Sequence, residues 1–169
     1  ERAQKPGTKA ETQTLTRTHS MTHSVAELPF NRFLGIEPAF DSTHLLRLPA
    51  GKQYLNHLGT VHAGAQLALA EASSGEFLLG ALGSASGVVP VVRRLESKFR
   101  KPANGAVTST VSTPPETIEQ VRSDLAAKGR AIICIAVELH DESGAHTLSA
   151  AVEWFITRIP DAERQTDHV

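Results

Sequence analysis

Glu71 is the side chain whose setting most needs a chemical explanation. It lies in NHLGTVHAGAQLALAEASSGEFLLGAL, residues 56–82, where only Gln66, Glu71 and Glu76 are strongly polar between Ala63 and Leu82. An ionised carboxylate is costly to bury alone, so it is expected to be ion-paired, solvated in a cleft or functional. His62 stands nine residues before it. Imidazoles and environment-tuned carboxylates exchange protons near neutral pH, so acid–base chemistry is the first thing to ask of this pair.

On a helix the two point apart. At about 100° and 1.5 Å per residue, nine residues give nearly opposite directions and a rise of about 13 Å. One small site within one chain cannot readily take both. If both serve one site, two chains build it, and a homodimer with paired sites is expected. The plain alternatives are an arginine partner or a neighbouring chain's amides for Glu71, a backbone bond for His62, and a loop-fixing role for Asn56.

The elements that must position these residues follow from patterning. Residues 26–36, AELPFNRFLGI, have the spacing of a short amphipathic helix broken by Pro29. His44 to Leu48 reads as a strand stopped by Pro49-Ala50-Gly51. Thr60 is the expected N-cap of the long helix, and Gly80, Gly83 and Gly87 end it. Val88–Phe99, Ala106–Ser112, Ala131–His140 and His146–Thr157 then read as strands. Ile133, Ile135, Val137 and Leu139 share one face of the third, and Leu148, Ala150, Val152, Trp154 and Ile156 one face of the last. Asp141-Glu142-Ser143-Gly144 is a hairpin turn between them. Glu116–Lys128 reads as a helix with Ile118, Val121, Leu125 and Ala126 inward and Gly129 as C-cap. Strands in a row without alternating helices predict an antiparallel sheet in an α+β fold. The long helix is apolar all round and must be covered all round, which a curved sheet wrapping it achieves.

The chain has 169 residues, 40% hydrophobic and 21% charged, which suits one domain with an ordinary core. Residues 1–20 are polar and expected to be a disordered leader, 21–160 the domain, and 161–169 a frayed tail. A net charge of -1 makes no demand for nucleic acid or an anionic membrane, so neither partner is expected. No apolar run is long enough to span a bilayer. Cys134 is the single cysteine, which excludes an intrachain disulfide and favours a cytoplasmic setting. The histidines lack metal-ligand spacing, and no metal is expected.

Asn56, Gly59, Thr60, His62, Gly64 and Glu71 together resemble the N-x-x-G-x-x-H-G-G motif, with an acidic residue nine after the histidine, of hotdog-fold acyl-CoA thioesterases of the phenylacetate type. LPFNRFLGIEP, from Leu28, matches the usual opening, and the resemblance reaches about Ile159. HAG replaces HGG, and AEASSGEFL is similar to a less characterised branch of that superfamily. The resemblance implies a hotdog fold: a curved antiparallel sheet of about five to six strands around one central helix. It implies hydrolysis of an acyl thioester on coenzyme A or an acyl carrier, with no cofactor beyond coenzyme A in the substrate.

Carried over residue by residue, the Ala63 N–H would polarise the thioester carbonyl at the helix start. Asn56 would hold that carbonyl or the attacking water. Glu71 of a second chain would act as base or nucleophile, and His62 would position loop or substrate. Gly59, Thr60, Gly64, Ser74 and Gly75 would line the substrate. Two departures stand out. Gly75, with Val91 or Val92 beyond, stands where relatives place a hydroxyl, and the Ala63 methyl narrows the carbonyl site. Arg94 and Lys98 share a face of the basic strand with Arg100 and Glu96; they are either a solvated outer face or contacts for coenzyme A phosphates. A homodimer or tetramer is expected. The rival readings are a non-catalytic acyl-CoA binding module and a dehydratase or hydratase on the same fold, whose signatures are not obvious here.

Overall fold

The computed structural model describes residues 24–83 and 87–159. The expected leader, Met21 and the tail lie outside the described residues. Helices α1 (Pro29–Phe33), α2 (Ala63–Leu82) and α3 (Pro115–Lys128) accompany strands β1 (Glu37–Pro38), β2 (Leu46–Leu48), β3 (Val88–Phe99), β4 (Val107–Val111), β5 (Arg130–Asp141) and β6 (His146–Arg158). The six strands form one sheet in the order β1-β2-β4-β5-β6-β3. Every neighbouring pair is antiparallel.

Alternation decides the inner face. Ile133, Ile135, Val137 and Leu139 of β5 and Leu148, Ala150, Val152, Trp154 and Ile156 of β6 are all buried, as their spacing predicts. Each large aliphatic among them contributes about 1.5–3 kcal/mol on burial. α2 lies across this face, against β2, β4, β5 and β6, and also meets α3 and the 3-10 turn Val25–Glu27. That enclosure answers its all-round apolarity. Small residues let it approach closely: Ser73 Oγ lies 2.7 Å from Ser109 Oγ, which itself accepts from the Leu46 N–H and donates to the Leu46 carbonyl, tying the helix to β4 and β2.

The β5–β6 turn is held by Asp141. Its Oδ1 accepts from the Ser143 and Ala145 amides and the Ser143 hydroxyl, and its Oδ2 from the Asn104 amide. Burial pushes this carboxyl up, but those donors outweigh it and hold it below the ordinary carboxylate range. Gly144, at φ +80°, completes the turn.

Several local expectations change. The N-cap of α2 is His62, not Thr60: the His62 Nδ1 accepts from the Gly64 amide at 2.9 Å. Thr60 is instead drawn into the loop hydrogen bonds of Asn56. Pro29 begins α1 rather than breaking it, because a helix's first position needs no N–H donor. Ala126 is exposed, while Ile118, Val121 and Leu125 alone pack inward from α3. The strand expected from His44 shortens to Leu46–Leu48, and β1 and the 3-10 turn Lys52–Tyr54 had no signal of their own. Gly83 caps α2 and Gly129 caps α3, both at positive φ. Among the described residues, no helix is long and apolar enough to cross a membrane.

Candidate active site

The start of α2 is built by the loop before it. The Asn56 side-chain oxygen accepts from the Leu58 and Thr60 amides, its nitrogen donates to Thr60 Oγ1 at 3.0 Å, and Gly59 turns the chain at φ +75°. Asn56 thus spends its carboxamide on the loop. The His62 amide donates to the Tyr54 carbonyl, the Gly64 amide to His62 Nδ1, and the Ala65 and Gln66 amides to the His62 carbonyl. The Ala63 N–H donates to nothing among the described residues, and Ala63 is exposed. It is a free donor at the positive end of a helix dipole, the chemistry that stabilises a developing oxyanion. A Cβ on Gly64 would come within 3.2 Å of His62 Nδ1, so glycine here leaves room for the cap.

This amide opens into a cleft of about 270 Å³ lined by Asn56, Thr60, Ala63 and Gln66 on one side and Phe99, Arg100 and Lys101 on the other. Arg94 and Lys98 are not among the residues that line this cleft. Arg94 pairs with Glu96 at 3.4 Å on the exposed edge strand. The cations that reach the cleft are Arg100 and Lys101, one and two residues past the end of β3.

Glu71 lies elsewhere. It lines a second cavity, about 160 Å³, with Val25, Leu28, Asn31, Gly75, Pro90 and Trp154 among its walls. Ala63, eight residues before Glu71, lines one cavity of the chain and Glu71 lines another. Among the described residues the Glu71 carboxylate meets no hydrogen-bond donor and no cation, and no arginine partner is found there. Burial pushes its carboxyl above the ordinary glutamate value.

Gly75 sits under the Trp154 ring, where an added Cβ would lie 3.5 Å from Cζ2. Two hydroxyls follow Glu71 closely in sequence: Ser73 is turned to the Leu69 carbonyl and Ser109 Oγ, and Ser74 accepts from Trp154 Nε1 at 2.9 Å and donates to the Glu71 carbonyl. Patterning on one strand could not reveal the contributions of Leu28, Asn31 and Pro90 to this cavity. Gln66 was marked in the sequence only by its polarity. Among the described residues no three His, Cys, Asp or Glu side chains gather as a metal site would need.

These two cavities stand on a fold shared with known structures. A Pseudomonas aeruginosa protein of unknown function described as a probable thioesterase, PA5026, is 27% identical, with a TM-score of 0.68 over 80% of this chain and 91% of that one. Thioesterase HI1161 of Haemophilus influenzae is 17% identical, with a TM-score of 0.58 over 86% of this chain and 90% of that one. BH2602 of Bacillus halodurans, solved with CoA, is 18% identical, with a TM-score of 0.56 over 75% of this chain and 74% of that one. No curated protein matches the sequence. The chain has the hotdog fold and stands in the thioesterase superfamily that uses it. Within it, the model of the family described as "Domain of unknown function (DUF4442)" matches residues 27–156, and the chain belongs to that family.

Proposed function

We propose that this protein is an acyl thioester hydrolase acting on acyl groups carried by coenzyme A or an acyl-carrier arm, with each active site shared by two chains of a homodimer. The observation that carries this reading is Glu71: a half-buried carboxylate, unpaired among the described residues, beside an apolar cavity, with its proton affinity raised by burial. A carboxylate tuned upward is a better general base near neutral pH than an ordinary one. The thioester carbonyl rests on the free Ala63 N–H of one chain, and Glu71 of the other faces it. Glu71 takes a proton from water as the water oxygen bonds to the carbonyl carbon. The oxyanion is held by the Ala63 amide, the C–S bond breaks, and the proton passes to the departing thiolate. His62 serves by capping the helix that presents Ala63, and Asn56 by fixing the preceding loop.

The similarity to a probable thioesterase and to a protein solved with CoA supports the substrate class. The exposed edge strand β3, with Val89 and Val91 facing outward, supports pairing with a second copy. One observation favours the rival binding module: Ser74 is engaged elsewhere and Gly75 offers no hydroxyl to the carboxylate. The deciding experiment follows thiol release from a panel of acyl-CoAs by wild type and Glu71→Ala, beside a binding titration. Binding without Glu71-dependent thiol release would select the binding module and sink the hydrolase.

A further inference from the structure

The cavity beside Glu71 is apolar away from the carboxylate. Its walls include Ala72, Gly75 and Leu79 of α2, Trp154 of β6 and Val25 of the 3-10 turn. Trp154 Nε1 donates to Ser74 Oγ at 2.9 Å, and the indole shows a carbon edge, Cζ2 and Cη2, to Gly75. Asn31 is the other polar residue of the lining, and its side-chain nitrogen donates to the Val25 carbonyl at 2.8 Å. Two lining residues carry surface that solvent reaches, the exposed Leu28 and the half-buried Glu71, so the cavity is not sealed.

Gly75 is the informative part of the wall. It lies inside a 20-residue helix, where glycine is less favourable than alanine. It is not among the glycines at positive φ, so its backbone conformation does not call for glycine. Crowding does not call for it either. An added Cβ would lie 3.5 Å and 3.6 Å from the Trp154 ring and 3.7 Å from Val25 Cγ1, which are ordinary contact distances. Alanine would fit. What the missing methyl leaves is space between helix, indole and Val25, in the wall of a cavity of about 160 Å³. A methylene fills about the 30 Å³ of a water molecule, so the cavity takes about five of them.

Building on the shared-site thioester reading, we infer that this cavity receives the acyl chain and that Gly75 and Trp154 set the longest chain it accepts. The carbonyl carbon stays outside, at Ala63 of the other chain, so the limit is an aliphatic acyl group of about six carbons. A polar tail would lose its water against the indole edge and Val25 and gain no partner from them.

The test uses binding, so that it stands apart from hydrolysis. Thioethers of coenzyme A cannot be hydrolysed, and the S-ethyl, S-butyl, S-hexyl and S-decyl compounds are titrated calorimetrically into the full chain. Wild-type affinity is expected to rise about fourfold per methylene up to S-hexyl and then to level off. Gly75→Ala is expected to level off at S-butyl and to bind S-hexyl about tenfold more weakly than wild type. Its melting temperature should stay at or above that of wild type, because alanine favours the helix, so unfolding cannot account for the loss. Trp154→Phe removes the ring edge over Gly75 and is expected to move the limit the other way, to longer chains. Should one variant not fold, the other decides. A wild-type chain-length profile in the folded variants, affinity independent of chain length, or no binding of any thioether overturns the assignment. Chain-length-dependent binding without thiol release from acyl-CoAs fails the hydrolase reading alone. Thiol release with an unchanged profile in the variants fails the Gly75 and Trp154 assignment alone.

Discussion

Glu71 and Glu76 are the same residue type on the same helix, five positions apart, and the structure uses them in opposite ways. Glu76 accepts from the Ser24 hydroxyl at 3.0 Å and the Val25 amide at 2.8 Å, clamping the 3-10 turn Val25–Glu27 onto α2. Glu71 faces a cavity and meets no donor among the described residues. Five residues turn a helix by about 140°. That angle sends one carboxylate to a backbone amide and the other to an apolar wall. The two are still linked, because Val25 both donates to Glu76 and lines the Glu71 cavity. A satisfied carboxylate holds the wall of the cavity in which an unsatisfied one sits. Local composition alone does not separate a satisfied carboxylate from one without a donor; the neighbours that the fold brings to each do.

The sharpest way to break the contrast is to remove Glu71. Glu71→Ala should cut thiol release by roughly 10²–10⁴-fold, the range for a lost general base, with little change in melting temperature. Near-normal turnover would mean that the unpaired carboxylate is not the base.

Next in size is the opposite half-site. Ala63→Pro replaces the free N–H with a ring carbon, at a helix position that tolerates proline, with an extended His62 before it. Turnover should fall by roughly 10²–10³-fold without unfolding. Mixing Ala63→Pro chains with Glu71→Ala chains under subunit exchange should restore about a quarter of wild-type activity, since half of the dimers are mixed and each has one intact site. No recovery would end the shared-site reading.

Glu76→Ala should do the reverse of Glu71→Ala. It should cost about 1.5–3 kcal/mol in denaturant unfolding, the scale of hydrogen bonds to a charged group, while turnover of the folded fraction changes little. A rate loss as large as that of Glu71→Ala would erase the distinction between strut and base.

The smallest effect concerns protons. The Glu71 carboxyl is pushed up by burial, so the folded state holds its proton more tightly than the unfolded chain does. Its contribution is fully present below the unfolded value and is lost as pH rises through the folded one. Glu71→Gln should therefore melt above wild type at pH 7, and the difference should vanish in acid. The acid limb of turnover should lie above the ordinary glutamate range for the same reason. Equal melting of the two proteins at both pH values would show that the carboxylate is not desolvated.

Much of the architecture was legible because it rests on period and punctuation. Twofold alternation set the inner faces of β5 and β6 down to Trp154, and Gly83, Gly129 and Asp141–Gly144 marked the ends of α2, α3 and β5. Elements with two or three residues, such as β1, lack a period to read. The N-cap was misplaced by two residues because Thr60 is a better capping type than histidine, but the loop's bonds to Asn56 claim it first. Arg94 and Lys98 were singled out on strand spacing, whereas Arg100 and Lys101 reach the cleft because the chain leaves the sheet at Phe99.

By itself the sequence determined that Glu71 is a carboxylate in apolar surroundings and that it points away from His62, since helix geometry needs nothing but residue numbers. It also determined the α+β order and the faces of the long strands, which are local periodicities. Which polar groups find partners depends on the folded arrangement. Asn56 and Glu76 spend theirs on neighbours distant or near in the chain, whereas among the described residues the Ala63 amide, the Glu71 carboxylate and the buried Gln66 oxygen meet no partner. Partnering depends on what the fold brings within about 3 Å, and no pattern along one strand or helix carries that information.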